Sequence, residues 1–220
     1  MMRRSLDANS PFFHEERHAS LAAFADAPIA ICGAGALGGN LAETLARMGY
    51  TRLRLIDRDR VQMRNLSTQP YSRAEVGAPK ARVLANTLFR AVQARVEPLA
   101  VELTPHNVTE LLSGSALVVD AFDNHAARAA VSAATRQPGL PCLHIGFSPD
   151  GLYGSGLWEP DYQVPQDALD DPCDYPLTRL LALTLTAQAA RIITQHLAGG
   201  PRVHFELTWY DMKISYYQAS

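Results

Sequence analysis

The sequence predicts an α/β domain: a mostly parallel sheet flanked by helices, with a β-rich C-terminal edge. Three observations carry this prediction. Apolar runs alternate with stretches of helical period from Pro28 onward, the pattern of strand–helix–strand units. Two of the runs, "ALVVDAF" and "LPCLHIGF", are apolar nearly throughout, as strands covered on both faces are. With 47% hydrophobic and 19% charged residues, 220 residues suffice for one domain with a large core.

The elements follow in order. "APIAICGAG" reads as a buried strand running into a glycine turn, and "LGGNLAETLARMGY" as a helix. Leu37, Leu41, Leu45 and Met48 form that helix's stripe, and Gly49 is its stop. "TRLRLID" is a second strand. Pro79 opens a helix through "KARVLANTLFRAVQA" because its fixed φ suits a first turn. "VEPLAVEL" (strand), "NVTELLSG" (helix), "ALVVDAF" (strand), "NHAARAAVSAATRQ" (helix) and "LPCLHIGF" (strand) come next. Residues 148–176 show only turn chemistry and read as a long crossover loop. "PLTRLLALTLTAQAARIITQHL" is long and apolar, but Thr184, Thr186, Gln188, Arg191 and Gln195 interrupt it, and Gly199-Gly200 closes it. It reads as a core helix and not a membrane span. Residues 201–220 supply one or two strands. Residues 1–27 form an N-terminal helical arm, so 1–220 is expected to be a single domain.

A net charge of −2 argues against nucleic acid as the main partner, since no basic excess neutralises phosphates. Three scattered cysteines, Cys32, Cys142 and Cys173, with no CxxC pair, argue against disulfides and a structural zinc. They point to a reducing cytoplasm. The first eighteen residues lack the apolar run of a secretory signal. Cys32 and Cys142 fall in strands and read as inert core residues, and His144 reads as a packed core histidine.

Polar residues gather at strand ends, where ligands sit in open α/β sheets. "GAGALG" places Gly33, Gly35 and Gly38 as GxGxxG between strand and helix, a Rossmann-like arrangement that brings backbone N–H groups close to a phosphate or simply makes a tight turn. Asp57 ends the second strand, placed to hold ribose hydroxyls or to cap a turn. Asp59, Asn65 and Gln69 follow. Lys80, in the first turn of its helix, opposes the helix dipole at a cost of up to about 1 kcal/mol. An anion such as a triphosphate would relieve that cost; a solvated surface lysine is the plainer reading. "VVDAFDN" adds Asp120 and Asp123, suited to magnesium.

Taken together, GxGxxG, DxD, NLxxQ, GxxKA and DxxDN, in this order, resemble the adenylation domain shared by the ubiquitin-activating E1 enzymes and the bacterial ThiF, MoeB and HesA proteins. The likeness runs from about Pro28 to Gly146 and resumes weakly at the long helix. It implies ATP and Mg2+ as cofactors. Gly33, Gly35 and Gly38 would form the nucleotide loop, Asp57 would hold ribose with Asp59 as its partner acid, Asn65, Gln69 and Lys80 would lie on the phosphates, and Asp123 on the metal. It also implies a small ubiquitin-like or sulfur-carrier partner ending in Gly-Gly, its carboxylate attacking the α-phosphate, and a homodimer to which Arg17 could contribute across the interface, with Phe12 and Phe13 as apolar anchors. Cys173, in acidic "DDPCDYP", could accept the acyl group as a thioester, although nearby carboxylates would raise a thiol's pKa. One departure stands out: the family's NLxRQ arginine is Thr68 here. Arg64 and Arg73 could replace its charge. Arg73 is the favoured of the two, because an extended segment would point Arg64 away from Asn65. A catalytically inactive E1-like partner subunit and an NAD(P)-dependent oxidoreductase are the competing readings.

Overall fold

A computed structural model describes residues 9–17, 25–136, 139–166 and 176–220. The chain order is β1 (Ile29–Cys32), α1 (Gly38–Arg47), β2 (Leu53–Ile56), α2 (Lys80–Val92), β3 (Glu97–Leu99), α3 (Val108–Leu112) and β4 (Leu117–Asp120). It continues through α4 (His125–Arg136), β5 (Cys142–Phe147), β6 (Tyr153–Trp158), α5 (Arg179–Leu197), β7 (Val203–Thr208) and β8 (Ile214–Gln218). Short 3-10 turns occupy Glu15–Arg17, Met63–Asn65 and Arg73–Glu75.

The strands form one sheet in the order β3-β2-β1-β4-β5-β6-β7-β8. β1 to β5 pair in parallel, and β6, β7 and β8 extend the sheet antiparallel. Alternation within β1 explains its two-sided cover. Ile29 and Ile31 enter a core with Leu41 and Leu45 of α1, Leu84 and Leu88 of α2, and Leu185 of α5. Ala30 and Cys32 enter a second core with Val108 and Leu112 of α3, and Val131 of α4. Cys142 joins this second core, so both strand cysteines are buried, as their sequence context suggested.

α5 begins at a cap that the sequence reading did not name and ends at the glycines that it did. Thr178 caps it by accepting the Leu181 N–H at 3.2 Å. At its end the Gly199 N–H bonds to His196 and the Gly200 N–H to Gln195, the paired closure of a left-handed C-terminal glycine. Among the described residues no helix is long and apolar enough to cross a membrane.

Two expectations need correction, and a third falls largely outside the described residues. The expected loop at 148–176 contains β6, which pairs with β5 from Leu143↔Trp158 to Phe147↔Gly154. "YGSGLW" reads as turn because of its glycines, yet those glycines make room for the core. A Cβ on Gly156 would lie 2.1 Å from the Phe205 ring, and one on Gly154 would lie 2.7 Å from Leu185. Phe12, proposed as an anchor for a second subunit, packs against this chain's own core, with its ring 3.6 Å from the Cβ position of Gly49. Of the 1–27 arm, only 9–17 and 25–27 are described, and their helical content is one 3-10 turn.

His144 is buried as expected, but it is wired into a polar network. Its Nδ1 lies 2.7 Å from Asp120 Oδ2 on β4, and its Nε2 lies 3.2 Å from Glu159 Oε1 just past β6. Its ring stacks on Tyr162 at 3.7 Å. α4 closes the network: Arg128 donates to the Tyr162 hydroxyl and the Ile145 carbonyl, Ser132 donates to Glu159, and Arg136 donates to Glu159 Oε2 at 2.8 Å. Burial opposes a charged ring, but neighbouring Cys142 and the two flanking carboxylates outweigh it and hold His144 protonated well above the usual histidine range. Burial likewise opposes the charge of Asp120 and Glu159. Arg128 and His144 offset it at Asp120, and His144, Ser132 and Arg136 offset it at Glu159, so both carboxyls stay below their ordinary values.

Two tests follow from this packing. Gly156→Ala should cost about 1–3 kcal/mol in denaturant unfolding through overpacking, and Phe205→Leu in the same chain should recover part of the loss. The buried network sets a pH window. The depressed carboxylates contribute fully above about pH 4, and the raised imidazole contributes fully below about pH 6.5. Melting temperature should therefore fall on either side of that interval. His144→Gln should cost about 3–5 kcal/mol near neutrality and flatten the alkaline decline. An alkaline limb unchanged in the variant would show that His144 is not its source.

Candidate nucleotide site

The chain runs outward from β1 through β2 to β3, then returns to place β4 on the other side of β1. The segments after β1 and β4 therefore diverge, which opens a crevice at the strands' carboxyl ends. A cleft of about 900 Å³ lies there. Gly35, Asp57, Asn65, Gln69, Lys80 and Asp123 are among its walls, so side chains scattered over ninety residues of sequence meet in one place.

The three glycines of the first turn have different reasons to be glycine. Gly33 has φ +99°, and a Cβ there would sit 3.0 Å from the Ala121 carbonyl. A Cβ on Gly38 would lie 2.0 Å from the Gly33 carbonyl, so α1 could not start so close to the strand. Gly35 differs: its nearest neighbour would be Gln69 Nε2 at 4.0 Å, so a Cβ would project into the open cleft. Protein packing thus explains two of the glycines and leaves the space over the third free for a ligand.

Asp57 is buried beneath this turn. Its Oδ2 accepts the Ala34 N–H and its Oδ1 the Asp59 N–H, both at 2.6 Å. Each bond uses one lone pair, so both oxygens keep acceptor capacity. Burial pushes the carboxyl's pKa up, against the pull of the Lys80 charge and the two N–H groups.

The stretch after β2 folds back over α1. Asn65 is buried, and its Oδ1 accepts the Gln62 N–H at 2.8 Å, closing the 3-10 turn. Asn40 of α1 donates to the carbonyls of Ala36 and Thr68, at 2.6 and 2.8 Å. Asn40 escaped the sequence reading; its only signal was a polar residue beside the Leu37–Leu41 stripe. Gln69 presents a buried Oε1 with no hydrogen-bond partner among the described residues. Such an atom costs free energy unless a ligand or water meets it.

Lys80 is the first residue of α2 and only 5% exposed. Its Nζ lies 3.2 Å from Asp59 Oδ2. Asp59 thus supplies part of the negative charge that the sequence argument sought wholly in a ligand. One bond leaves an ammonium with further donors.

Across the cleft, Asp123 and Asp120 part company. Asp123 lines the cleft, whereas Asp120 is fully buried and committed to His144 and the Phe122 N–H. Asp120 is therefore a structural acid and unsuited to magnesium. Among the described residues no three His, Cys, Asp or Glu side chains converge as a metal cage. A magnesium ion would fit at Asp123 only with phosphate oxygens and water completing its shell, a usual arrangement for that ion.

The candidate cations also separate. Arg64 lines the cleft with buried Thr68, while Arg73 is exposed on the next 3-10 turn and is not part of the wall. The preference for Arg73 assumed an extended segment, but residues 63–65 form a helical turn, which removes the alternation that turned Arg64 away. Arg17 ends the 3-10 turn Glu15–Arg17. Cys173 lies outside the described residues.

The chain is 36% identical over 130 residues to tRNA threonylcarbamoyladenosine dehydratase of Escherichia coli, covering 58% of this chain and 48% of that protein. It is 36% identical over 124 residues to the sulfur carrier protein ThiS adenylyltransferase of Bacillus subtilis, covering 54% and 37%. The chain thus spans about half or less of these relatives' lengths. The crystal structure of PaaA superposes with a TM-score of 0.78 at 17% identity, over 99% of this chain and 76% of that one, a likeness of fold. The ThiF family model matches residues 7–155, well over half of the sequence, and the chain belongs to the ThiF family.

Proposed function

We propose that this protein is an ATP-dependent adenylyltransferase that activates the C-terminal carboxylate of a small ubiquitin-like or sulfur-carrier protein. The observation that carries the reading is the convergence of Lys80, Asn65, Gln69 and Asp123 on the glycine turn, with the amide oxygen of Gln69 buried and unpaired. A nicotinamide enzyme would use the turn and Asp57 but has no need of the other four. The name of the Bacillus subtilis relative supports a carrier-protein substrate.

In this reading the Gly35 side of the turn faces phosphate and Asp57 faces ribose. An oxygen of the carrier's carboxylate attacks the α-phosphorus, the bond from that phosphorus to the β-phosphate bridging oxygen breaks, and pyrophosphate leaves. The product is an acyl-adenylate. Charge builds on the departing pyrophosphate, so fixed cations beside it supply the main stabilisation. Lys80 is held there by its helix and Asp59, and Arg64 stands on the same wall in place of the arginine that Thr68 replaces. Magnesium on Asp123 would neutralise phosphate charge when bound. Ser155 and Tyr153 of β6 also line the cleft, and in this reading the Gly-Gly tail enters beside them. A homodimer in which Arg17 reaches the partner's phosphates, and acyl transfer to Cys173, extend the same reading.

Thr68 favours a second reading, an inactive subunit that keeps the fold and binds a partner. Titration calorimetry with MgATP and pyrophosphate exchange with small Gly-Gly-terminated carrier proteins separate the two. MgATP binding with carrier-dependent exchange is expected; binding without exchange supports the inactive subunit, and no binding at millimolar ATP defeats the enzyme reading. Lys80→Ala should lower exchange more than tenfold, about 1.4 kcal/mol or more in the barrier. Arg64→Ala should lower it comparably while Arg73→Ala stays near wild type, and the reverse order would remove Arg64 from the mechanism.

A further inference from the structure

The glycine turn is gripped from two sides, and the second grip comes from a residue that no motif includes. Asp57 holds the Ala34 N–H, while the Tyr71 hydroxyl donates to the Ala34 carbonyl at 2.8 Å. Tyr71 and Ala34 are both buried, and neither lines the cleft, so the hydroxyl approaches from the core side. In a planar trans peptide the carbonyl of one residue and the N–H of the next point in opposite directions. Drawing the Ala34 carbonyl toward the core therefore turns the Gly35 N–H outward. Gly35 lines the cleft, and its N–H meets no acceptor among the described residues.

Building on the nucleotide reading above, we infer that Tyr71 is a positioning residue for nucleotide binding, fixing the Ala34–Gly35 peptide so that the Gly35 N–H is presented to an anionic oxygen in the cleft. Two further features fit the role. Burial, with the nearby charges of Asp57, Glu75 and Asp59, pushes the Tyr71 hydroxyl pKa up, so it remains a donor at any working pH. Tyr71 also couples the turn to the residues facing it. Its N–H bonds to the Gln69 carbonyl at 2.9 Å, Pro70 lies 3.1 Å from the Cβ position of Gly39, and Asn40 ties Thr68 to Ala36. The segment that carries Asn65 and Gln69 and the turn that carries Gly35 thus form one block, which lowers the ordering cost of binding.

Tyr71→Phe tests this, because it keeps the buried ring and removes only the hydroxyl. Tyr50→Phe is the control: Tyr50 is also buried and hydrogen-bonds Thr194 at 2.9 Å, away from the cleft. Calorimetric MgATP affinity should fall roughly three- to tenfold in Tyr71→Phe, the loss expected for one neutral hydrogen bond. Amide exchange at Ala34, whose N–H Asp57 holds in the same turn, should accelerate in the ligand-free protein when followed by NMR. Tyr50→Phe should change neither, although its melting temperature drops by a similar amount. Unchanged ATP affinity in Tyr71→Phe overturns the inference, as does an equal loss in Tyr50→Phe, which would mark a general stability effect. Failure of the wild-type protein to bind MgATP is a different result, and it overturns the nucleotide reading together with this inference.

Discussion

The protonated ring of His144, held between Asp120 and Glu159, is the joint on which the rest of the molecule depends. Asp120 ends the last inner strand of the parallel sheet, and Glu159 follows the first antiparallel strand, so one imidazolium ties the two halves together. The carboxylates would be costly where they lie without a cation between them, and the ring would be costly without them. Arg128 and Arg136 bring α4 into the same network, and His144 and Arg128 reach the cleft wall. The joint is thus also the floor of the far end of the site. A fully satisfied buried network of this kind favours one arrangement over its neighbours, because any slip strands a charge.

Glycine does two different jobs, one in β6 and one in the first turn. In β6, Gly154 and Gly156 are vacancies filled by Leu185 and Phe205, so α5 and β7 sit closer to the strand than side chains would permit. In the first turn, Gly33 and Gly38 permit a tight passage from strand to helix, and Gly35 leaves room that the protein does not fill. A residue with no side chain is informative only once its neighbours are known.

The electrostatics of the site are distributed. Lys80 faces a helix N-terminus that ordinarily attracts anions, and Asp59 makes its position tenable at 3.2 Å. The pair is half exposed on the acid's side, so it contributes modestly to stability. Its larger consequence is to hold a cation ready at the cleft. Thr68 is buried and keeps its carbonyl in use, as acceptor for Asn40. The position is thus part of the architecture through its backbone.

Much was legible in the sequence, for reasons that are local. A run such as "AICGAG" joins strand period to turn chemistry within a few residues, and the end of α5 is written in Gly199-Gly200. The ordered polar groups from Gly33 to Asp123 also pointed to one site, since strand ends in such a sheet all face one edge. What the sequence left open depended on contacts between distant residues. β6 was hidden because its glycines answer to Phe205 and Leu185, which lie far along the chain. Asp120 and Asp123 are three positions apart and look interchangeable, but only the sheet could bury one against His144 and leave the other on the cleft. Arg64 and Arg73 were separated by a single 3-10 turn that reverses the direction an extended chain would give. Local patterns determined most of the elements and where the polar residues gather; packing across the sheet decided which of those residues face the cleft, because burial is a property of neighbours that sequence spacing does not contain.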